Sequence, residues 1–206
     1  MGVLSARFFT YVQATSFYAE LHRQAVELLP PGGGRTWLDV GCGPGLVARL
    51  AAQRGYRTTG IDIDAAMIRR AAADARRNGL ATNFQVASLE TLPSRLQKAD
   101  VVSAASLLAV IKDRAGALRK LTTALTGDGK LLLVEPSERM TPEAAACLSS
   151  ARAWSRDSWV LSLWARSRNP ARAVGWNETR IDGYETRRHE LLHGLVNAWI
   201  LAPLAT

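Results

Sequence analysis

The sequence predicts one α/β domain: a doubly wound, mostly parallel sheet with helices on both faces and an antiparallel strand closing its C-terminal side. Three observations carry this. Short apolar, strand-like runs alternate with amphipathic, helix-like runs from Thr36 to Glu135, the rhythm of βαβ units. A glycine-rich turn, Gly41 to Gly45, separates the first of these strands from the first helix, and an open α/β sheet binds ligands at the carboxyl ends of its strands. Leu131-Leu132-Leu133-Val134 is a continuous apolar run, suited to a strand buried on both faces.

The elements follow in order. Tyr11 to Leu29 carries apolar residues at near-helical spacing and stops at Pro30-Pro31-Gly32-Gly33-Gly34, a strong break. Residues 1–33 therefore read as a helical cap. A ligand-binding core over 34–136 opens with the strand Thr36–Val40 and the helix Leu46–Gln53. Arg57–Asp62 is the second strand, and Asp64 can cap a helix running to about Arg77 with Met67, Ile68 and Ala71 inward. Asn83–Ala87 and Ala99–Ala104 are further strands. Asp113–Leu125 is helical and ends before Gly127-Asp128-Gly129, after which Lys130–Glu135 is the last strand of the core. In 137–206 a helix is expected within Pro142–Arg166, and Asn177–Ile181 with Leu195–Leu201 form a closing antiparallel pair. No internal repeat or linker divides the 206 residues, a length that suits one sizeable core.

Composition narrows the class. Hydrophobic residues make up 48% and charged residues 21%, ordinary for a folded domain. No apolar run approaches the ~20 residues of a membrane span, and Met1 to Thr10 does not read as a secretory leader. The two cysteines, Cys42 and Cys147, form neither a metal cluster nor a disulfide framework, so no metal is expected and a reducing cytoplasm fits. A net charge of +8 admits an anionic membrane surface or a nucleic acid as partner. The basic residues are mostly Arg in an Ala-rich chain, which the codon bias of a high-GC genome also produces, and they are not interleaved with aromatics as in a base-stacking platform.

Leu38-Asp39-Val40-Gly41-Cys42-Gly43-Pro44-Gly45 carries the strongest chemical signal. Glycines let the backbone turn sharply and let a ligand approach without a Cβ in the way. A dinucleotide turn reads G-x-G-x-x-G/A, whereas Leu46 stands here at the last small position. Asp39, inside the strand, would repel a pyrophosphate but suits a ligand carrying an ammonium. S-adenosylmethionine has an ammonium and a sulfonium and no phosphate. Asp39 to Gly45 resembles the first motif of class I S-adenosylmethionine-dependent methyltransferases, whose fold is Rossmann-like. The resemblance implies that Gly41, Cys42, Gly43 and Gly45 wrap the methionine part of the cofactor, and that Asp39 supports the loop and the ammonium.

Several spaced motifs extend the resemblance over about half the chain. Asp62 ends the second strand, where a carboxylate can accept both ribose hydroxyls. The family's second motif sits there, with Ile63 packing on adenine; Met67 reads equally as adenine wall or plain core. Ser88 and Leu89 occupy the third motif, with Ser88 where many relatives have Asp. Ala104 lies where backbone groups help hold the amino-acid end. Beyond it, Ala109 and Val110 stand where many small-molecule members carry two histidines, so no general base is apparent and no catalytic residue is assigned. Such an absence suits a nucleophile that is already reactive, or a base supplied from elsewhere. Tyr18, on a helix that folds over the cofactor in similar proteins, and Ser106 are the substrate candidates.

His189 and His193 suit surface or turn roles. Trp154, Trp159, Trp164 and Trp176, with Arg152, Arg156, Arg166, Arg168 and Arg172 among them, read as an aromatic lid over a flat or lipophilic substrate, as a patch resting on an anionic membrane, or as tryptophans covering the sheet with arginines in water. The expected function is methyl transfer to a small molecule, aromatic or isoprenoid. The alternatives are an RNA or protein methyltransferase, and a protein using the same fold and cofactor for other chemistry.

Overall fold

A computed structural model describes residues 11–92, 98–151, 158–168, 173–175 and 177–204. A seven-stranded sheet runs β3-β2-β1-β4-β5-β7-β6, from strands β1 (Thr36–Val40), β2 (Arg57–Asp62), β3 (Thr82–Val86), β4 (Ala99–Ala105), β5 (Leu125–Pro136), β6 (Tyr184–Leu191) and β7 (Val196–Pro203). β1 pairs parallel with β2 and β4, β2 with β3, and β4 with β5, while β7 runs antiparallel to both β5 and β6. The doubly wound sheet with an antiparallel C-terminal strand is as expected. The order reverses between β1 and β4, which opens a crevice at their carboxyl ends.

The helices are α1 (Ser16–Glu27), α2 (Leu46–Gln53), α3 (Ala65–Arg77), α4 (Arg114–Thr123), α5 (Pro142–Ala151) and α6 (Ser158–Arg166). Caps fix two of the boundaries read from sequence. Asp64 accepts the Ala66 N–H at 2.7 Å to start α3, and Asp113 accepts the Gly116 N–H at 2.8 Å to start α4, each satisfying an orphan donor of a first turn.

Alternation along the central strands sorts the core into two layers. Trp37, Val101, Leu132 and Val134 pack with α1, α2 and α6, among them Phe17, Tyr18, Leu21, Val47, Val160 and Trp164. Leu38, Val40, Val102, Ala104, Leu131 and Leu133 pack with α4. Period-2 alternation then places Asp39 and Ser103 on the α1 side of the sheet. The β1–β4 register is pinned at its start by Asp100, whose Oδ2 accepts both the N–H and the hydroxyl of Thr36 at 2.7 Å.

Three expectations need correction. Asn177–Ile181 is not a strand: Asn177–Thr179 is a 3₁₀ turn, and the sixth strand starts after Gly183, whose φ of 82° turns the chain into it. β5 begins at Leu125 rather than Lys130, because Leu125 already pairs with Ala99 across a register irregularity. The helix read from Tyr11 is interrupted: Tyr11, Val12 and Gln13 are helical, Ala14 and Thr15 form a turn in which the Thr15 hydroxyl donates to the Val12 carbonyl at 2.6 Å, and α1 then starts at Ser16.

Candidate active site

The glycine turn leaves β1 with Gly41, Gly43 and Gly45 at φ of 69°, 51° and 78°, which accounts for the G-x-G-x-G spacing. Gly45 is constrained twice over, since a Cβ there would stand 2.7 Å from Phe84 Cζ. Cys42, between the glycines, is buried with its thiol pushed upward by burial and by Asp39 and Asp62. Asp62 closes the loop from β2: its Oδ2 accepts the Gly43 N–H and its Oδ1 the Asp64 N–H, both at 2.9 Å. These two amides set the plane of the carboxylate and leave each oxygen a further lone pair.

Asp39 is 2% exposed. Its Oδ1 accepts the Ser103 hydroxyl at 2.7 Å, and Ser103 Oγ accepts the Trp37 indole N–H at 2.8 Å. This relay aims the carboxylate. Oδ2 has no hydrogen-bond partner among the described residues. Burial pushes the acid up to about 7, opposed by the Ser103 hydroxyl and by the Ala48 N–H (short of a full hydrogen bond). A buried acceptor with one oxygen unmatched is costly on its own, and a bound cationic donor would relieve it. Gln13 offers a second such acceptor: its Oε1 is buried without a partner, and its amide lies over Gly43.

Ile63, beside Asp62, is 76% exposed, and Val86, the register partner of Asp62 on β3, is 54% exposed. Two apolar side chains in water at the rim of a polar loop are what a flat aromatic ligand would cover. Met67 is half-buried on the first turns of α3. Ser88 meets the Glu90 carboxylate, and Leu89 opens the 3₁₀ turn Leu89–Thr91. Ala104 is fully buried between Val40 and Leu133.

A second polar cluster lies beyond β4. Tyr18 and Ser106, the two substrate candidates, come together there, with the Tyr18 hydroxyl meeting Ser106. Burial pushes the Tyr18 phenol well above its ordinary value. Ser106 holds φ of 56° through its N–H to the Val134 carbonyl at 2.8 Å. Two groups join them that sequence reading did not select for this site. Glu135, fully buried, accepts the Leu108 N–H at 2.8 Å and the Ala109 N–H at 3.3 Å. Burial pushes its carboxyl up to about 7 against those amides and the Arg168 charge. Arg168 stacks over Trp164, its guanidinium carbon 5.6 Å from the ring centroid, and burial lowers its value against the pull of Tyr18 and Glu135. A glutamate within the apolar run of β5 was the sequence signal for Glu135, since acids are almost never fully buried without partners. Arg168 carried no such signal.

Two grooves lie elsewhere. One of about 600 Å³ separates α1 from the β6–β7 turn, and one of about 690 Å³ lies along the amino-terminal ends of β1, β2 and β3. Neither touches Asp39 or Asp62.

Comparison with known proteins bears on the domain and its fold. The family described as Methyltransferase domain matches residues 38–133. The ubiquinone biosynthesis O-methyltransferase of Coxiella burnetii is 31% identical over 98 residues, covering 48% of this chain and 42% of that protein. A protein of the same name from Haemophilus ducreyi is 32% identical over 105 residues, covering 48% and 44%. The chain thus matches less than half the length of these curated relatives. The structure of the plantazolicin methyltransferase BpumL in complex with SAH superimposes at a TM-score of 0.67 with 13% identity, over 96% of this chain and 90% of that one. A SAM-dependent methyltransferase from Aquifex aeolicus gives 0.62 with 14% identity, over 89% of each chain. Residues 38–133 thus match a methyltransferase domain, and the fold as a whole is the one seen in these solved methyltransferases.

Within this methyltransferase domain, the positions of the expected histidine pair are filled by Ala109 and Val110, and the Ala109 amide bonds Glu135 instead. His193 is exposed in the β6–β7 turn, and His189 is half-buried on β6. Of the tryptophans, Trp164 is core, wedged 5.3 Å from Tyr18 and 6.3 Å from Phe17. Trp159 is 52% exposed and pairs with Tyr11 at 5.9 Å. Trp154, Trp176, Arg152, Arg156 and Arg172 lie outside the described residues.

Proposed function

We propose that this chain transfers the methyl group of S-adenosylmethionine to the oxygen of a small molecule. The observation that carries the reading is Asp39: a buried carboxylate, aimed by Ser103 and Trp37, with Oδ2 unmatched beside a glycine loop that has no Cβ to bar a ligand. An ammonium satisfies such an oxygen, and a phosphate does not.

Asp39 and Gln13 receive the amino-acid end of the cofactor, with Gly41, Cys42, Gly43 and Gly45 as the backbone cradle and Ala104 beneath. Asp62 accepts the ribose hydroxyls on its remaining lone pairs. Ile63, Met67 and Leu89 wall the adenine, and Ser88 offers its edge a hydroxyl. When bound, S-adenosylmethionine supplies a methyl group activated by a sulfonium. The chain's contribution is to hold acceptor and methyl in line, from which proximity supplies ~7–11 kcal/mol of the barrier, and to exclude water with α1 and α6. The O-methyltransferase names of the relatives support an oxygen acceptor.

The chain works as one unit, with a helical cap before residue 34, the cofactor core over 34–136, and a C-terminal part that closes the sheet. The free cysteines Cys42 and Cys147 support a reducing cytoplasm, and the relatives support a bacterial source. No helix among the described residues is long and apolar enough to cross a membrane. Isothermal titration with S-adenosylmethionine and, separately, NAD tests the reading. Micromolar binding of the first and none of the second is expected; a folded protein that binds neither would remove it.

A further inference from the structure

We infer that Leu107 walls the methylene arm of the cofactor, between its sulfur and its ammonium, and that Glu135 is the positioning residue that holds Leu107 there. The inference rests on the methyltransferase reading above and adds two residues to its site.

β1 and β4 lie side by side, with Asp39 opposite Ser103 and Val40 opposite Ala104. The chain leaving β4 therefore passes beside the glycine loop that leaves β1. Leu107 comes down on that loop: a Cβ built on Gly41 would stand 3.0 Å from Leu107 Cδ1, closer than two carbons pack. Further along the loop, a Cβ on Gly43 would stand 3.3 Å from Gln13 Nε2. An isobutyl group and an amide thus face the bare backbone of the first two glycines, next to the unmatched Oδ2 of Asp39. The cofactor's amino-acid end is an arm of methylenes and a sulfur that finishes in an ammonium and a carboxylate. It needs polar partners, which Asp39 and Gln13 offer, and an apolar wall. Leu107 is that wall, and as a half-buried side chain it still has surface for a ligand to cover.

Leu107 opens a single tight turn, in which its carbonyl accepts the Val110 N–H at 3.1 Å and the Ile111 N–H at 3.2 Å. The first amides of such a turn point away from it and find no acceptor within it. Here they are satisfied from another strand. Glu135, fully buried near the end of β5, accepts the Leu108 N–H on Oε1 at 2.8 Å and the Ala109 N–H on Oε2 at 3.3 Å. The same strand holds the residue before Leu107: the Ser106 N–H donates to the Val134 carbonyl at 2.8 Å, with Ser106 at φ of 56°, a backbone that a residue other than glycine adopts at a cost. Behind the turn, Leu108 is fully buried and its carbonyl accepts Arg114 Nε at 3.1 Å. Leu107 is therefore presented by a backbone fixed on both sides of it. A carboxylate in the apolar run of β5 is costly to bury, and capping this turn from outside is the use the geometry gives it.

The test is isothermal titration of S-adenosylhomocysteine and, separately, of adenosine, which lacks the amino-acid arm. Leu107→Ala should weaken S-adenosylhomocysteine about tenfold, as befits a partly covered leucine, and leave adenosine unchanged. Val110→Ala, a similar truncation at an exposed position of the same turn, should bind both ligands like the wild type. Glu135→Gln should give the Leu107→Ala pattern, because an amide presents one acceptor oxygen where the turn needs two. The Arg168 charge also acts on Glu135, so the double variant decides the positioning role. With Leu107 already cut back, Glu135→Gln should weaken S-adenosylhomocysteine by less than about twofold more. Should Glu135→Gln fail to fold, Glu135→Asp, which keeps the charge but falls one methylene short, takes its place in the cycle. Additive losses overturn the role of Glu135. A Leu107→Ala variant that binds S-adenosylhomocysteine like the wild type, or that loses adenosine in equal measure, overturns the wall. Failure of the cofactor reading is separable: the wild type itself would then give no heat with S-adenosylhomocysteine.

Discussion

Cofactor affinity should rise with pH through the titration of Asp39. In the ligand-free protein, burial holds this acid at about 7, so the carboxylate that an ammonium needs is only about one-tenth formed at pH 6 and about nine-tenths formed at pH 8. If binding selects the ionised form, the Kd for S-adenosylhomocysteine falls about tenfold between those two values. It should level off near pH 8, where the ligand's own α-amino group begins to lose its proton. Asp39→Asn should flatten the dependence and weaken binding by roughly 10- to 150-fold at pH 7.5, the worth of a charge-assisted hydrogen bond of about 1.5–3 kcal/mol. Calorimetry in buffers of different ionisation heat would also count the proton released below pH 7. A wild-type affinity that is flat from pH 6 to 7.5, or an Asp39→Asn variant that keeps the wild-type slope, would refute the role given to this residue.

Three further outcomes follow from the same geometry. Ser103→Ala strands both Asp39 Oδ1 and the Trp37 indole N–H; urea unfolding should show a loss of about 1–3 kcal/mol, and the pH midpoint for cofactor binding should move upward because the hydroxyl no longer favours the carboxylate. Gly45→Ala puts a Cβ at φ of 78° and 2.7 Å from Phe84, costing about 1–2 kcal/mol for the backbone alone; the double variant with Phe84→Leu should recover part of the stability but not the backbone part, as thermal melts would show. His22 is buried on the Tyr18 ring with its Nδ1–H donated to the Tyr18 carbonyl, and burial lowers it to about 4. The unfolded chain takes up this proton first, so its contribution is present above pH 6.5 and is lost as pH falls toward 4, by about 3 kcal/mol in all. His22→Phe should lose that acid sensitivity in urea titrations at pH 7.5 and 4.5, and an unchanged difference between the two pH values would count against it.

The glycine-loop half of the candidate site was legible because its chemistry is local. Asp39, the glycines and Asp62 sit at strand ends that the alternation of apolar runs locates, and the G-x-G-x-G spacing follows from three left-handed backbones in one turn. The polar cluster beyond β4 was read only in part. Tyr18 and Ser106 were both candidates, but the groups that complete the cluster come from far along the chain, Glu135 through β4–β5 pairing and Arg168 through the packing of α6 under α1. The Trp37–Ser103–Asp39 relay is invisible for the same reason: its middle member is delivered by strand register, 64 residues from the acid. The sixth strand was misplaced because its sequence, Tyr184 to Leu191, is mostly charged and polar, as edge strands often are, whereas Asn177–Ile181 lacks the pairing partner that Val196–Pro203 provides to Tyr184–Leu191. Gly183 was the turn signal that could have located it.

A crystal structure of the S-adenosylhomocysteine complex tests the central claim most directly. The account predicts the ligand's ammonium within hydrogen-bonding distance of Asp39 Oδ2, its ribose hydroxyls on Asp62, and its adenine over Ile63. A ligand seated in either of the two grooves elsewhere, or in the loop with Asp39 Oδ2 still unmatched, would contradict it.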